Sequence, residues 1–163
     1  MLDGSAADEL AISFNGEIYN FRALRAELEA LGHNFTTNSD TEVILKSYRE
    51  WGTDAVAHLD GMFALALWDA KQNQLLLARD RFGKKPLYYA FDGDTLIAAS
   101  EIKALLASGR IEGRLSREAL DNYLRLMYIP PWKSVYKNVH QIPPAHYGVF
   151  KNGKLHLMRY WRL

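Results

Sequence analysis

Apolar and polar positions change period along this chain, and each change marks an element. Leu10-Ala11-Ile12-Ser13-Phe14 is a short apolar run that suits a buried strand, expected to stop at Asn15-Gly16. From Asn20, a good N-cap, Phe21, Leu24, Leu28 and Leu31 recur at i, i+3, i+7 and i+10. That spacing predicts a helix with one apolar face, ended by Gly32. A second helix is predicted from Ser39-Asp40-Thr41-Glu42, where Ser39 and Glu42 have capping-box spacing, through Ile44, Leu45, Tyr48 and Trp51 to Gly52. Two adjacent amphipathic helices need an apolar sheet to cover.

The sheet strands follow. Met62 to Trp68 and Gln74 to Ala78 are rich in Phe, Leu and Ala and flank the polar stretch 69–73, which predicts a buried antiparallel hairpin. Pro86 to Phe91 and Thr95 to Ala99 predict another, joined through Asp92-Gly93-Asp94. Ser100 is placed to cap a short helix over 101–107. Ser116 is placed to cap a longer one with Leu120, Tyr123, Leu124 and Met127 as its apolar residues. Ile129-Pro130-Pro131-Trp132 cannot continue that helix, because proline lacks the donor and clashes with the preceding turn. Residues 147–150 and 155–158 flank Lys151-Asn152-Gly153-Lys154, whose central Asn-Gly is the preferred type I′ pair. Strands grouped in hairpins, with helices in separate runs, predict a layered α+β domain with mainly antiparallel sheet.

Composition narrows the function classes. At 163 residues and 48% hydrophobic, the chain can bury a core without disulfides or a structural metal. Lys plus Arg is 20 and Asp plus Glu 19, with the charges interspersed, so no nucleic-acid or membrane partner is expected. No apolar run reaches the roughly 20 residues of a membrane helix, and residues 1–9 have no signal-peptide pattern, so a cytoplasmic location is expected. The chain contains no cysteine, so it cannot itself carry out thiol chemistry.

Three motifs are candidates for chemistry. In Asn15-Gly16-Glu17, an Asn side-chain amide beside a glycine backbone N–H can supply two donors to an oxyanion. Taken alone, the same pair is more simply a turn, although the element that follows reads as a helix and not a pairing strand. Asp40 can complement the helix dipole or hold a substrate ammonium group, and periodicity does not separate the two. The stretch from Arg79 through Tyr89 is basic, but no glycine-rich loop feeds a helix N-terminus there, so a structural strand connection is the better reading than a phosphate site. The five histidines show no metal-ligand spacing and no G-x-S-x-G elbow accompanies them, so neither a metal site nor a serine triad is expected.

Taken together, Phe14 to Asn20, Ser39 to Glu42, Leu59-Asp60-Gly61-Met62-Phe63-Ala64, Arg79 to Tyr89, Ser100 to Leu105 and the closing Tyr160-Trp161 resemble, in order and spacing, the glutaminase domain of glutamine-hydrolysing asparagine synthetases. The resemblance covers nearly the whole chain. It implies a class II amidotransferase fold, an α+β four-layer αββα sandwich of mainly antiparallel sheets of the N-terminal-nucleophile hydrolase type. It also implies an N-terminal cysteine that attacks the glutamine side-chain amide with its own α-amine as base, and a second domain that uses the released ammonia, with ATP and Mg, to amidate aspartate. By resemblance, Asn15 and Gly16 form the oxyanion hole, Glu17 lines the glutamine pocket and Asp40 binds the α-ammonium group.

The departures are as specific. Met1 is followed by Leu2, and neither the nucleophilic cysteine nor the arginine that binds the substrate carboxylate has an equivalent here. The synthetase's pyrophosphate loop is also absent, so no cofactor is expected in this chain. Residues 1–163 are therefore expected to be a partial, N-terminally truncated amidotransferase domain, inactive in isolation, from which a synthetase domain is missing. Self-association through exposed sheet edges is expected. Two alternatives stay open: another class II amidotransferase with a different acceptor, or a non-catalytic binding or assembly module on the same scaffold.

Overall fold

The computed structural model describes residues 1–5, 8–130 and 133–163. Its strands are β1 (Leu2–Asp3), β2 (Leu10–Ile18), β3 (Gly61–Asp69), β4 (Gln74–Arg79), β5 (Tyr88–Asp92), β6 (Thr95–Ala99), β7 (Val139–Gln141), β8 (His146–Lys151) and β9 (Lys154–Arg159). Its helices are α1 (Phe21–Ala30), α2 (Asp40–Trp51), α3 (Ala55–His58), α4 (Ile102–Ala107) and α5 (Arg117–Leu126). All strand pairings are antiparallel, in a six-stranded sheet ordered β1-β2-β3-β4-β8-β9 and a three-stranded sheet ordered β6-β5-β7.

Strand alternation sorts the core into three layers of side chains. On the large sheet, Leu10, Ile12, Ile18, Phe63, Leu65, Leu67, Leu76 and Ala78 face one way and meet Leu24 and Leu28 of α1 and Val43, Leu45 and Tyr48 of α2. The opposite face of β3 and β4, Ala64, Ala66, Leu75 and Leu77, meets Leu87, Tyr89, Leu96 and Ala98 from the small sheet. Alanines at three of these positions let the two sheets approach closely. The outer face of the small sheet, Ala90, Ile97, Ala99 and Val139, is covered by Ile102, Leu105 and Leu106 of α4. Helices, sheet, sheet, helix: the chain is the αββα sandwich that the resemblance implied. Fully buried Phe63, Leu65, Leu67, Leu28 and Leu45 each contribute roughly 1.5–3 kcal/mol by leaving water.

Three local expectations need correction. Asn15-Gly16 does not end its strand. β2 runs on to Ile18, with Asn15 opposite Ala64 and Gly16 opposite Phe63, because a nine-residue ladder to β3 outweighs a dipeptide's turn preference. Asn20 precedes α1 but makes no capping bond. Its amide instead donates to His58 O at 2.9 Å and its oxygen accepts from Asp60 N at 3.0 Å, tying the start of α1 to the entry of β3. Ser100 does not cap α4, since Glu101 holds the N-cap position without a side-chain bond. α5, which the spacing predicts, buries little: Leu120, Tyr123, Leu124 and Met127 are exposed and Ala119 is the helix's buried residue.

Other expectations hold. Ser39 caps α2 by accepting from Glu42 N at 3.2 Å, and Ser116 caps α5 by accepting from Ala119 N at 3.2 Å. Asn152 and Gly153 both take positive φ, 51° and 74°, as a type I′ turn requires. α5 ends at Leu126, short of the expected break, where Pro131 and Trp132 lie outside the described residues. No described helix is long and apolar enough to cross a membrane.

Candidate functional site

The direction of one peptide plane organises the site. Phe63 donates its N–H to Asp80 Oδ2 at 3.2 Å, and its carbonyl accepts from Asp80 N at 2.8 Å. Both main-chain groups of Phe63 therefore face β4. In an antiparallel ladder, opposed residues either exchange both hydrogen bonds or neither, so Gly16, opposite Phe63, turns its N–H and C=O to the outer edge of β2. The same parity sends the N–H groups of Ile12 and Ile18 outward, where they meet Met1 O at 2.9 Å and Asp40 Oδ2 at 3.1 Å. Gly16's N–H thus points out beside Asn15.

Asn15 and Glu17 project from the opposite face of β2 to the helices and are exposed. Asn15 Nδ2 donates to Ser100 Oγ at 3.4 Å across the gap between the sheets. Ser13, Asn15, Ala64, Ala66, Leu87, Ala98 and Ser100 border a small cleft of about 80 Å³ there. Ser100 was not identifiable as part of the site from sequence: its position before a helix masks a contact that depends on how the two sheets stack.

Asp40 opens α2 and reaches across to the edge of β2. Its Oδ2 accepts from Ile18 N, and Oδ1 has the Thr41 hydroxyl at 3.5 Å as its described partner, which leaves that oxygen available to a cation. The N–H donors of Gly16 and Ile18 are about 7 Å apart at the usual strand rise, and the Asp40 carboxylate lies beyond Ile18 N on the same edge. Both readings of Asp40 meet in this geometry, because it sits on the helix's positive end and also faces the strand edge.

Glu42, two residues on, is structural. Its carboxylate is 4% exposed and accepts from Thr36 N at 2.8 Å, Thr37 N at 2.6 Å and the hydroxyls of both threonines. Burial alone would raise its pKa. The bonds from Thr37 and Thr36 outweigh burial and hold the carboxyl below its ordinary value. The capping box is therefore half formed: Glu42 orders the loop before α2 and does not reach back to Ser39 N, which donates instead to Thr37 Oγ1 at 3.2 Å. That loop carries Asp40 to β2.

Arg79 and Asp80, at the end of β4, form a buried knot. Arg79, 5% exposed, directs its guanidinium at the carbonyls of Lys85 (2.7 Å), Ile142 (2.9 Å) and Gly83 (2.7 Å). Burial lowers its pKa in spite of the adjacent Asp80 carboxylate. Tyr160 donates to Arg79 O at 2.9 Å, and burial, then Asp80, raise its phenol well above the ordinary tyrosine value. With its donors committed to carbonyls, Arg79 is structural and is no phosphate ligand. Among the described residues no three His, Asp or Glu side chains converge on a point that could hold a metal. A distant polar cavity of about 270 Å³ is lined by Tyr48, Asp69, Arg49 and Lys71. Burial and the Asp69 carboxylate, which accepts from the Tyr48 hydroxyl at 3.0 Å, push that phenol up to about 12.

A family model for the glutamine amidotransferase domain matches residues 4–161. The chain belongs to this family. The amidotransferase domain is 45% identical over 157 residues to the glutamine-hydrolyzing asparagine synthetase 3 of Bacillus subtilis, covering 96% of this chain and 26% of that protein. It is 40% identical over 153 residues to asparagine synthetase 1 of the same organism, covering 93% and 24%. A protein named an amidase from Gibberella zeae is 36% identical over 150 residues, covering 91% and 22%. The domain spans about a quarter of the length of these relatives. By sequence it groups with the glutaminase domains of glutamine-hydrolysing asparagine synthetases. Among solved structures, a B. subtilis glutamine phosphoribosylpyrophosphate amidotransferase complexed with ADP and GMP matches it with a TM-score of 0.71 at 20% identity, covering 99% of this chain and 31% of that one. That match establishes the sandwich fold alone.

Proposed function

We propose that the outer edge of β2 is a glutamine site. Glutamine lies along the edge with its α-ammonium group on Asp40, its side-chain carbonyl between the Asn15 amide and the Gly16 N–H, and Glu17 lining the pocket. The reaction served is amide hydrolysis through a thioester. A thiolate adds to the carbonyl, the two donors stabilise the resulting oxyanion, ammonia leaves and water releases glutamate. The 163 residues contain no cysteine, so the thiolate comes from outside them and these residues bind and polarise. In a longer polypeptide of the asparagine synthetase kind, a synthetase domain would use the ammonia for ATP-dependent amidation of aspartate in the cytoplasm. The observation that carries this reading is the outward Gly16 N–H beside Asn15, with Asp40 two residues along the same edge. A charge-assisted bond to an ammonium group is stronger than a neutral one. Calorimetry with L-glutamine tests the reading, with Asp40→Asn expected to lower affinity at least tenfold while the melting temperature stays within a few degrees. Equal loss of both would leave Asp40 as a capping residue.

A second reading concerns the acceptor. The match to a fungal protein named an amidase favours a domain whose glutamine chemistry is shared by enzymes with different acceptors, the acceptor being chosen elsewhere in the protein. Calorimetry also separates a third possibility, a scaffold without a pocket, which would bind neither glutamine nor asparagine.

A further inference from the structure

The geometry points to Asp80 as a positioning residue for the oxyanion donor Gly16, an assignment that rests on the glutamine-site reading above. Asp80 is 1% exposed and accepts from four main-chain N–H groups. Oδ1 takes those of Phe82 (3.0 Å) and Lys84 (2.9 Å), and Oδ2 takes those of Lys85 (2.9 Å) and Phe63 (3.2 Å). Its own carbonyl accepts from Ala145 N at 2.9 Å, so the carboxylate stands in for that carbonyl as the acceptor of Phe63 N–H where β4 leaves β3. Closing the 80–85 loop requires the bonds to Phe82, Lys84 and Lys85. The bond to Phe63 does nothing for that loop; it reaches back into the sheet.

The Phe63 N–H belongs to the peptide that joins Met62 to Phe63. The carbonyl of that same peptide presses on Gly16: a Cβ built on Gly16 would lie 2.1 Å from Met62 O and 2.7 Å from Phe63 Cα. One rigid plane therefore has its N–H held by Asp80 and its oxygen close beside Gly16, where by the same ladder parity it accepts from Glu17 N–H, with no side chain between to absorb a tilt. Asp80 sets that plane, the plane sets Gly16, and Gly16 aims its N–H at the outer edge. Oxyanion stabilisation depends on donor placement to within a few tenths of an ångström, so a buried carboxylate behind the strand controls the site without touching the substrate.

Asp80→Asn keeps one acceptor oxygen and cannot serve both the loop and Phe63. The control is Tyr160→Phe, which loosens the same knot at Arg79 O and leaves the Phe63 N–H partner in place. In ¹H–¹⁵N NMR spectra of the full chain, Asp80→Asn is expected to move the Gly16 amide resonance, with that of Gly153 in the β8–β9 turn fixed, and to weaken L-glutamine binding at least tenfold. Tyr160→Phe is expected to leave both within twofold of wild type or unshifted, even at an equal loss of thermal stability. If the two variants alter Gly16 and glutamine affinity alike in proportion to stability, Asp80 is merely structural and the inference is overturned. Should Asp80→Asn not fold, Gly16→Ala tests the coupling from the other side. Its methyl must displace the 62–63 peptide and shift the Phe63 and Lys85 amide resonances, and unshifted amides there would also overturn it. Absence of glutamine binding by the unaltered chain would instead defeat the site reading while the Gly16 shifts still decide the coupling.

Discussion

Asp40 and Glu42 stand two residues apart at the start of α2 and differ in what surrounds their carboxylates. Glu42 is enclosed by four donors from Thr36 and Thr37, whereas Asp40 keeps one oxygen on Ile18 N and the other open. Because the Glu42 carboxyl lies below its ordinary value of 4.5, its contribution to stability is fully present above that pH and is lost as pH falls through the lowered value. Glu42→Gln is expected to cost about 1.5–3 kcal/mol at neutral pH, the range for hydrogen bonds to a charged group, and to flatten the acid dependence below pH 4.5. Urea unfolding at pH 7 and pH 3 measures both, and an unchanged acid dependence would remove the proposed role of its ionised form. Ser100→Ala should move stability by less than about 0.5 kcal/mol, as for an exposed contact, while weakening glutamine binding several-fold by freeing the Asn15 amide. Calorimetry and thermal melting together check that split, which a purely structural serine would not show.

At the scale of elements, the readable features were those set locally. Ser39 and Ser116 cap their helices as spacing implied, and the Asn152-Gly153 turn has the φ values its residue pair favours. Helical periodicity marked α1 and α2 because their apolar faces lie against a sheet. What escaped was set at a distance. β2 crosses Asn15-Gly16 because β3 pairs with it there, and Ser100 faces Asn15 because one sheet stacks on the other. β7, three residues long, carries too short a pattern to register. The motif order identified the family, yet the outward N–H of Gly16 follows from ladder parity, which depends on which residue of β3 faces Asp80. α5 is the opposite case. Its apolar residues Leu120, Tyr123, Leu124 and Met127 mark the helix, yet they are exposed.

For the whole molecule, the sandwich is closed by three layers of side chains but leaves apolar and backbone surface open. Among the described residues, the outer edge of β2 beyond its short pairing with β1 and the exposed face of α5 are the surfaces through which self-association is expected. The isolated chain is expected to self-associate at micromolar concentrations. Leu124→Glu with Met127→Glu is expected to shift sedimentation velocity toward monomer with little change in melting temperature, since neither side chain is in the core. A wild-type chain that sediments as a monomer throughout would contradict this.

A glutamine site formed by Asn15, Gly16, Glu17 and Asp40 at the edge of β2 is checked by calorimetric titration of the purified chain with L-glutamine, set beside L-asparagine and the Asp40→Asn variant. Saturable binding of glutamine, weaker binding of the shorter asparagine and at least a tenfold loss in Asp40→Asn are expected. No binding of glutamine by the folded chain, or equal affinity in Asp40→Asn, would contradict such a site.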